Sequence, residues 1–219
     1  MLINFLLGIQ CEENTIMKIN KLKLQLKENE YSIGGWLNSA SPVVAEALAT
    51  CEFDWIAVDM EHGPVAEAET AAIFMAIERY NVAPIVRLPS ADPYLARRLL
   101  DLGALGFIVP VVESAAVFSD FVSHCLYPPK GRRGVGLSRA NVWGEDFDDY
   151  FSGFEPVLIP QIETKKGAEN AAEIVALDCV DGLFIGPYDL SADLGKPGDF
   201  ESLEYNNARG VIRDACIDH

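Results

Sequence analysis

From Tyr31 onward, short apolar runs alternate with segments whose apolar residues recur at helical spacing. Runs of this length, when bounded by turn residues, predict buried strands. Strict alternation of strands and helices predicts an α/β fold with a parallel sheet and right-handed crossovers. The predicted strands cover residues 32–37, 54–59, 83–88, 106–110, 157–163 and a stretch that starts at residue 183. The predicted helices cover residues 42–49, 67–79, 93–102, 114–124, 167–177 and 203 to the C-terminus.

The number of strand–helix units leaves two architectures open. Six units are two fewer than a closed barrel of this type needs, so we expect either an open doubly wound sheet or a barrel without its last quarter. The ends of the fourth and fifth strands, at Pro110 and Gln161, are unusually far apart in the sequence. A long loop inside a compact domain is more often functional than accidental. We expect residues 1–30 to form an N-terminal leader and a first helix, and residues 31–219 to form one barrel domain. Met17 is an alternative start, which would make residues 1–16 the leader.

The composition excludes several classes of protein. Half of the residues are hydrophobic and 23% are charged, which indicates a packed globular protein. Lys and Arg number 17 against 33 Asp and Glu, and the net charge of -16 would repel nucleic acids and anionic membranes. No run approaches the roughly 18 apolar residues of a membrane span. The apolar N-terminus also lacks the basic leader and cleavage site of a signal peptide.

The cysteines favour a reducing compartment. The chain has five, without C-x-x-C spacing: Cys11, Cys51, Cys125, Cys179 and Cys216. An odd, scattered set argues against a zinc site or a disulfide framework. We therefore expect a cytoplasmic protein.

Two acids follow the last two predicted strands. Glu163 ends the run Val157–Glu163, and Asp189 lies in the run Leu183–Ser191, about one strand–helix repeat later. Acids just past the carboxyl ends of neighbouring parallel strands would point into one mouth, where α/β barrels build their active sites. Two carboxylates without cysteine or histidine suit a hard cation, Mg²⁺ or Mn²⁺. The alternative is that each acid only caps the helix that follows it.

Three further polar residues lie at predicted strand ends. Arg87 ends an otherwise apolar strand, and its planar fork suits a carboxylate or a developing enolate oxygen. It could instead only form a salt bridge with Asp59 or Glu61. Gln161 lies two residues before Glu163 and so on the same face. His62 titrates near neutrality and could serve as a base, as a third metal ligand or only structurally.

Several motifs, in one order, resemble the HpcH/HpaI aldolase family of 4-hydroxy-2-oxoheptanedioate and 2-dehydro-3-deoxyglucarate aldolases. They are Gly35-Trp36, Asp54-Trp55, Val58–Pro64, Val86-Arg87, Leu100–Gly103, Tyr127–Gly136, Gln161–Glu163 and Phe184–Ser191. The resemblance implies a TIM (β/α)8-type barrel, of which this chain would hold about six units. It also implies a metal-dependent pyruvate aldolase of the phosphoenolpyruvate/pyruvate superfamily. Such an enzyme reversibly cleaves a 4-hydroxy-2-oxo acid, either a 2-keto-3-deoxy sugar acid or a hydroxy-oxo-diacid, to pyruvate and an aldehyde.

The resemblance also assigns roles to single residues. Glu163 and Asp189 would bind the divalent cation, Mg²⁺ or Mn²⁺ with Co²⁺ as a further option. Arg87, Gln161, Tyr188 (through its backbone) and Asp189 would bind substrate, and Arg87 would also stabilise the transition state. His62 would be the general base, with its basicity raised by Asp101. Asp101 lies at the end of a predicted helix, on the face away from the strand ends. If it orients His62, we expect either that it reaches the site of a neighbouring subunit in a homo-oligomer or that the helix ends irregularly.

Three other hypotheses compete with the aldolase. Lys165 or Lys166 could form a Schiff base with the substrate, although their helix-opening context is solvent-facing. An acyl-CoA lyase would share the metal–enolate chemistry, but no basic pocket for CoA is evident. A non-catalytic fragment is the third, because six units would leave exposed sheet edges. The basic loop Gly131–Gly136 could guide an anionic aldehyde or pair with acids of another subunit.

Overall fold

The computed structural model describes residues 20–219, so the expected leader over residues 1–16 lies outside the described residues. Six parallel strands form one sheet in the order β1-β2-β3-β4-β5-β6. The strands are β1 Gly34–Leu37, β2 Trp55–Asp59, β3 Ala83–Arg87, β4 Gly106–Val109, β5 Val157–Ile162 and β6 Phe184–Ile185. The helices are α1 Lys21–Lys27, α2 Pro42–Ala49, α3 Glu67–Glu78, α4 Pro93–Leu102, α5 Ala115–Ser123, α6 Phe147–Gly153, α7 Lys165–Glu169, α8 Ala171–Val175, α9 Pro187–Asp193 and α10 Leu203–Ile217.

The sheet is curled, and this decides between the two architectures. Trp36 belongs to the first strand and Phe184 to the last, yet their rings stack with centroids 5.6 Å apart. Such a contact between opposite edges of the sheet requires the strands to wrap around a common interior. The α/β class is therefore confirmed, and the fold is a curled partial barrel with helices, not an open doubly wound sheet.

Alternation along the strands divides the core into two parts. Ile56 and Val58 pack outward into the large cluster between sheet and helices. Ala57 faces inward, into a smaller cluster shared with Ile85 and Val157. Because successive side chains point to opposite faces of a strand, Asp59 and Arg87 lie on the inward side as well. Because Val157 faces inward, the same alternation along β5 places Gln161 and Glu163 on the inward side.

Helix α1 closes the end of the barrel at which the strands begin. Leu22 packs into the inner cluster, and the Asn20 side chain donates a hydrogen bond of 2.6 Å to the Leu105 carbonyl. Lys23 Nζ donates to Asp181 at 3.0 and 2.9 Å, and both side chains are nearly buried. The carboxyl ends of the strands are left as the accessible mouth.

The structure differs from the predicted elements in three places. The stretch that starts at residue 183 contains only a two-residue strand, followed by helix α9 with Pro187 in its first turn. The helix predicted over residues 167–177 is two short helices that meet at Asn170. The long segment before β5 contains a 3₁₀ helix, Arg139–Gly144, as well as α6. Over residues 20–219, no helix is both long and apolar enough to cross a membrane.

Candidate active site

A bidentate ion pair joins the carboxyl ends of β2 and β3. Asp59 and Arg87 are opposite each other in the strand register. Arg87 Nε donates to Asp59 Oδ1 at 2.9 Å, and Nη2 donates to Oδ2 at 2.5 Å. The Asp59 side chain is fully buried and that of Arg87 is 12% exposed. The pair therefore fixes the guanidinium at the inner edge of the mouth.

Asp59 accepts hydrogen bonds from residues that precede it and from residues that follow it in the sequence. Trp36 Nε1 and Asn38 Nδ2 donate to Oδ2 at 3.2 and 2.9 Å. The backbone N–H groups of Glu61 and His62 donate to Oδ1, each at 3.1 Å. Burial favours the neutral acid, but the hydrogen bonds from Arg87, His62 and Trp36 outweigh it and lower the pKa of Asp59 to about 2. Near neutral pH Asp59 is thus an anion that holds both Arg87 and the turn carrying His62.

Arg87 has further partners besides Asp59. Its Nη1 lies 3.2 Å from Glu61 Oε2, and its guanidinium carbon lies 4.9 Å from the centre of the Trp36 ring. Burial raises the pKa of Glu61; Arg87 opposes this rise, while the negative charge of Glu163 adds to it. Two of its N–H groups donate to Asp59, and Nη1 lies in ion-pair contact with Glu61, so these acids hold the guanidinium in place.

A second corner of the site surrounds Glu163, at the end of β5. Glu163 is 4% exposed. Its Oε1 accepts the Val111 N–H at 2.7 Å, and its Oε2 accepts from Gln161 Nε2. Gly186 lies against the same carboxylate, and a Cβ there would be only 2.6 Å from Oε2. The chain therefore leaves room beside Glu163 that any side chain at position 186 would fill.

This corner fits a divalent cation. The Gln161 side chain is buried, and its Oε1 has no hydrogen-bond donor within the described residues. An acceptor left open beside a held carboxylate is suited to a bound water or ligand. No group of three or more His, Cys, Asp or Glu residues that could hold a metal occurs within residues 20–219. Mg²⁺ needs fewer protein ligands than three, since one or two carboxylates with waters and substrate oxygens commonly complete its coordination shell.

The remaining predicted site residues lie at the exposed rim or elsewhere. Asp189 is exposed in the first turn of α9, three residues after Gly186. Tyr188 is 69% exposed, and its ring packs edge-on against Phe200. His62 is exposed just beyond β2, with its backbone held by Asp59.

Asp101 is not part of this mouth. It lies in the last turn of α4, which returns the chain to the end of the barrel where strands begin. Its Oδ1 accepts from Arg133 Nη2 at 2.7 Å, and Arg133 is fully buried. Arg133 in turn stacks on Tyr127 and Tyr150, with its guanidinium carbon 4.5 and 5.5 Å from the ring centres.

The two lysines considered for a Schiff base are on the surface. The side chains of Lys165 and Lys166 are 66% and 63% exposed, and they pair with Glu169 and Glu113. The buried Lys23 pairs with Asp181, at the opposite end of the barrel from the mouth. These placements do not favour a lysine as the reactive group.

Part of this site is not predicted from the sequence. The sequence analysis predicts Asp59 and Glu61 only as possible salt-bridge partners of Arg87 and assigns no individual role to Trp36, Asn38 or Val111. A signal for Asp59 was present, because it ends a strand one unit before Arg87 and a buried acid needs donors. No sequence signal marks Val111.

The fold and these side chains define a barrel enzyme with a carboxylate and a guanidinium at its strand ends, and comparisons with known proteins give its family. The model of the HpcH/HpaI aldolase/citrate lyase family matches residues 32–218. A 5-keto-4-deoxy-D-glucarate aldolase from Enterobacter sp. (strain 638) is 39% identical over 86% of this chain and 75% of that protein. A hydroxypyruvate/pyruvate aldolase from Roseobacter denitrificans is 39% identical over 82% of this chain and 72% of that protein.

The solved structures agree with the sequence relatives. A HpcH/HpaI aldolase/citrate lyase family protein from Burkholderia cenocepacia J2315 superposes with a TM-score of 0.86 at 33% identity, over 91% of this chain and 81% of that one. The chain belongs to the HpcH/HpaI aldolase/citrate lyase family. The predicted enzyme class, a carbon–carbon lyase of the aldolase type, is confirmed by this membership.

Proposed function

We propose that this protein reversibly cleaves a 4-hydroxy-2-oxo acid to pyruvate and an aldehyde with the help of a divalent cation. The observation that carries the proposal is the buried Glu163 carboxylate, held by Val111 and Gln161 in the mouth that Arg87 also faces. The names of the relatives support an oxo acid as substrate, since both describe aldolases of this kind.

Glu163 and Asp189 would hold the cation, with Mg²⁺ and Mn²⁺ as the ions best suited to oxygen ligands. When bound, the ion supplies Lewis acidity at a substrate oxygen. Glu163 is already oriented by its two donors, so little reorganisation is needed on its side. Asp189 contributes from the first turn of α9, where its exposure leaves it free to rotate toward a ligand.

Arg87 stabilises the negative charge that develops on the substrate when the carbon–carbon bond breaks. Hydrogen bonds to Asp59 and contact with Trp36 fix the guanidinium before substrate arrives. Preorganised donors of this kind are most effective because they need not move during the reaction. Gln161 offers its open Oε1 to a substrate hydroxyl or a bound water.

His62 is the residue we assign to proton transfer. It is exposed at the rim, and its backbone N–H donates to Asp59 Oδ1 at 3.1 Å. An imidazole in this position can take the proton from the C4 hydroxyl of the substrate directly or through a water. The Asp59 anchor fixes the turn and leaves the ring free to approach a ligand.

We propose further that Asp101 acts on His62 of a neighbouring copy in a homo-oligomer, because the two residues lie at opposite ends of the barrel in one chain. Mixing two inactive variants tests this directly. His62→Ala and Asp101→Ala should each lack activity, and a mixture that is allowed to exchange subunits should regain part of it. A mixture that stays inactive although exchange is seen by native mass spectrometry would contradict the composite site.

The main function is tested by pyruvate release from a panel of 4-hydroxy-2-oxo acids, coupled to lactate dehydrogenase. We expect release with Mg²⁺ or Mn²⁺ and its loss with EDTA. Treatment with pyruvate and borohydride should leave activity unchanged, because borohydride inactivates only an enzyme that forms a Schiff base between a lysine and pyruvate. If well-folded protein releases no metal-dependent pyruvate from any of these acids, the proposal is wrong.

The scattered cysteines support a location in the cytoplasm.

A further inference from the structure

Val111 has an unusual backbone for its residue type. It follows β4 at the mouth of the barrel, and its φ is 54°. A β-branched residue in the left-handed region is an outlier, because its side chain crowds the backbone there. Strain of this kind persists only where the surrounding structure enforces it. Val111 is also 58% exposed, so burial is not what enforces its backbone conformation.

Two hydrogen bonds explain the conformation. The Val111 N–H donates to Glu163 Oε1 at 2.7 Å, and the next amide, that of Val112, donates to the Gln161 carbonyl at 3.2 Å. Both acceptors lie at the end of β5. The left-handed residue therefore turns two successive amides of the β4 loop toward one neighbouring strand. One of them fixes the carboxylate on which the proposed metal site depends.

We propose that Val111 is a positioning and specificity residue: its strained backbone orients Glu163, and its isopropyl group limits the size of the aldehyde part of the substrate. The second half rests on the proposed function. The side chain begins two covalent bonds from the nitrogen that contacts Glu163. The exposed isopropyl group therefore lies close to the Glu163 carboxylate at which the substrate would be held. In this proposal the aldehyde part of the substrate is the part that meets it.

The positioning role can be tested without substrate or metal, by a thermal double-mutant cycle. Glycine adopts the left-handed region without strain, so Val111→Gly should raise Tm by about 2 °C. In a Glu163→Ala background one of the two acceptors is gone, so Val111 is less firmly held in the left-handed region. There Val111→Gly should raise Tm less or lower it, because glycine relieves less strain and still adds chain entropy to the unfolded state. An equal change of Tm in both backgrounds would overturn the positioning role.

The specificity role predicts opposite effects of smaller and larger side chains. We compare kcat/KM for acids whose C4 substituent ranges from methyl to butyl. Val111→Ala and Val111→Gly should raise the butyl-to-methyl ratio about tenfold, and Val111→Ile should lower it. Val117→Ala is the matched control, because Val117 is 64% exposed on α5. It should leave the ratio unchanged.

The outcomes separate this inference from the proposed function. If the wild type is active and the Val111 variants change all acids by one common factor, the specificity role is wrong while the aldolase stands. If the wild type releases no metal-dependent pyruvate from any acid, the aldolase and the specificity role both fail. The thermal cycle still decides the positioning role in that case.

Discussion

Among residues 20–219, two aspartate–arginine pairs each have one fully buried partner, and they are built in opposite ways. At the mouth of the barrel the acid is inside, since Asp59 is fully buried and Arg87 is 12% exposed. At the other end the base is inside, since Arg133 is fully buried and Asp101 is 35% exposed. Each pair thus presents one charge outward, a cation at the strand ends and an anion near the helix ends.

The surroundings explain the difference. Asp59 is enclosed by N–H donors from Trp36, Asn38 and the turn after β2, which keep it ionised. Arg133 is enclosed by the rings of Tyr127 and Tyr150, which suit a flat, weakly hydrated cation. A buried carboxylate needs donors, whereas a buried guanidinium can also use aromatic faces. In each pair the more exposed partner, not the buried one, is available for chemistry.

The largest expected effect is the loss of activity when Arg87 is replaced. Replacing it by alanine removes the preorganised cation of the mouth, so kcat/KM for pyruvate release should fall about 10³-fold. Lysine should not restore it, because a point charge cannot pair with Asp59 in two places. Arg79→Ala is the control, since Arg79 pairs with Glu46 on the surface. A loss of less than tenfold for Arg87→Ala would contradict the role.

The next effect concerns stability at the other pair. Asp101→Ala leaves the buried Arg133 without its acid, which should lower the free energy of unfolding by about 2–3 kcal/mol. The rings and the Tyr150 hydroxyl keep the cost below that of an entirely unpaired ion. Asp120→Ala, which removes an exposed partner of Arg132, should cost less than about 1 kcal/mol. Urea unfolding measures the loss of stability in both variants. Equal losses would contradict a stabilising role of Asp101 toward the buried Arg133.

The smallest effect is a dependence of stability on pH. The pKa of Asp59 is about 2 in the folded protein against an ordinary value of 3.8. A lowered folded pKa stabilises the protein above the ordinary value, and this contribution is lost as the pH falls toward the folded value. The difference in unfolding free energy between wild type and Asp59→Asn should therefore shrink by about 2 kcal/mol between pH 5 and pH 2.

Asp59→Asn removes this one titration and leaves the other acids in place, so the difference isolates Asp59. Unfolding by urea at each pH gives both curves. Parallel curves over that range would show that Asp59 is not held as an anion by its donors.

Much of the fold and part of the site could be predicted from the sequence. Ser41 and Asp92 cap α2 and α4 as side-chain acceptors, and Gly103 ends α4 with a φ of 111°. These signals are local, so they are visible without tertiary contacts. The inward placement of Gln161 and Glu163 follows in the same way from alternation along β5.

The rest depended on contacts between distant segments. Val111 donates to a residue 52 positions later, and Asn38 to one 21 positions later, so neither partner is visible locally. Helix α9 is different, because Pro187 at its first turn is a local helix signal that the apolar run 183–185 obscured. The Asp101–Arg133 pair required the path of the long segment before β5, for which the sequence pattern gave no prediction.

The most direct test of the central claim is a titration of metal-free protein with Mn²⁺, followed by isothermal calorimetry. If Glu163 and Asp189 hold the ion, the wild type should bind one Mn²⁺ per chain. Glu163→Gln should then weaken binding by at least about 100-fold, and Asp189→Asn should weaken it less, since Asp189 starts from an exposed position. Unchanged Mn²⁺ affinity in Glu163→Gln would contradict the account.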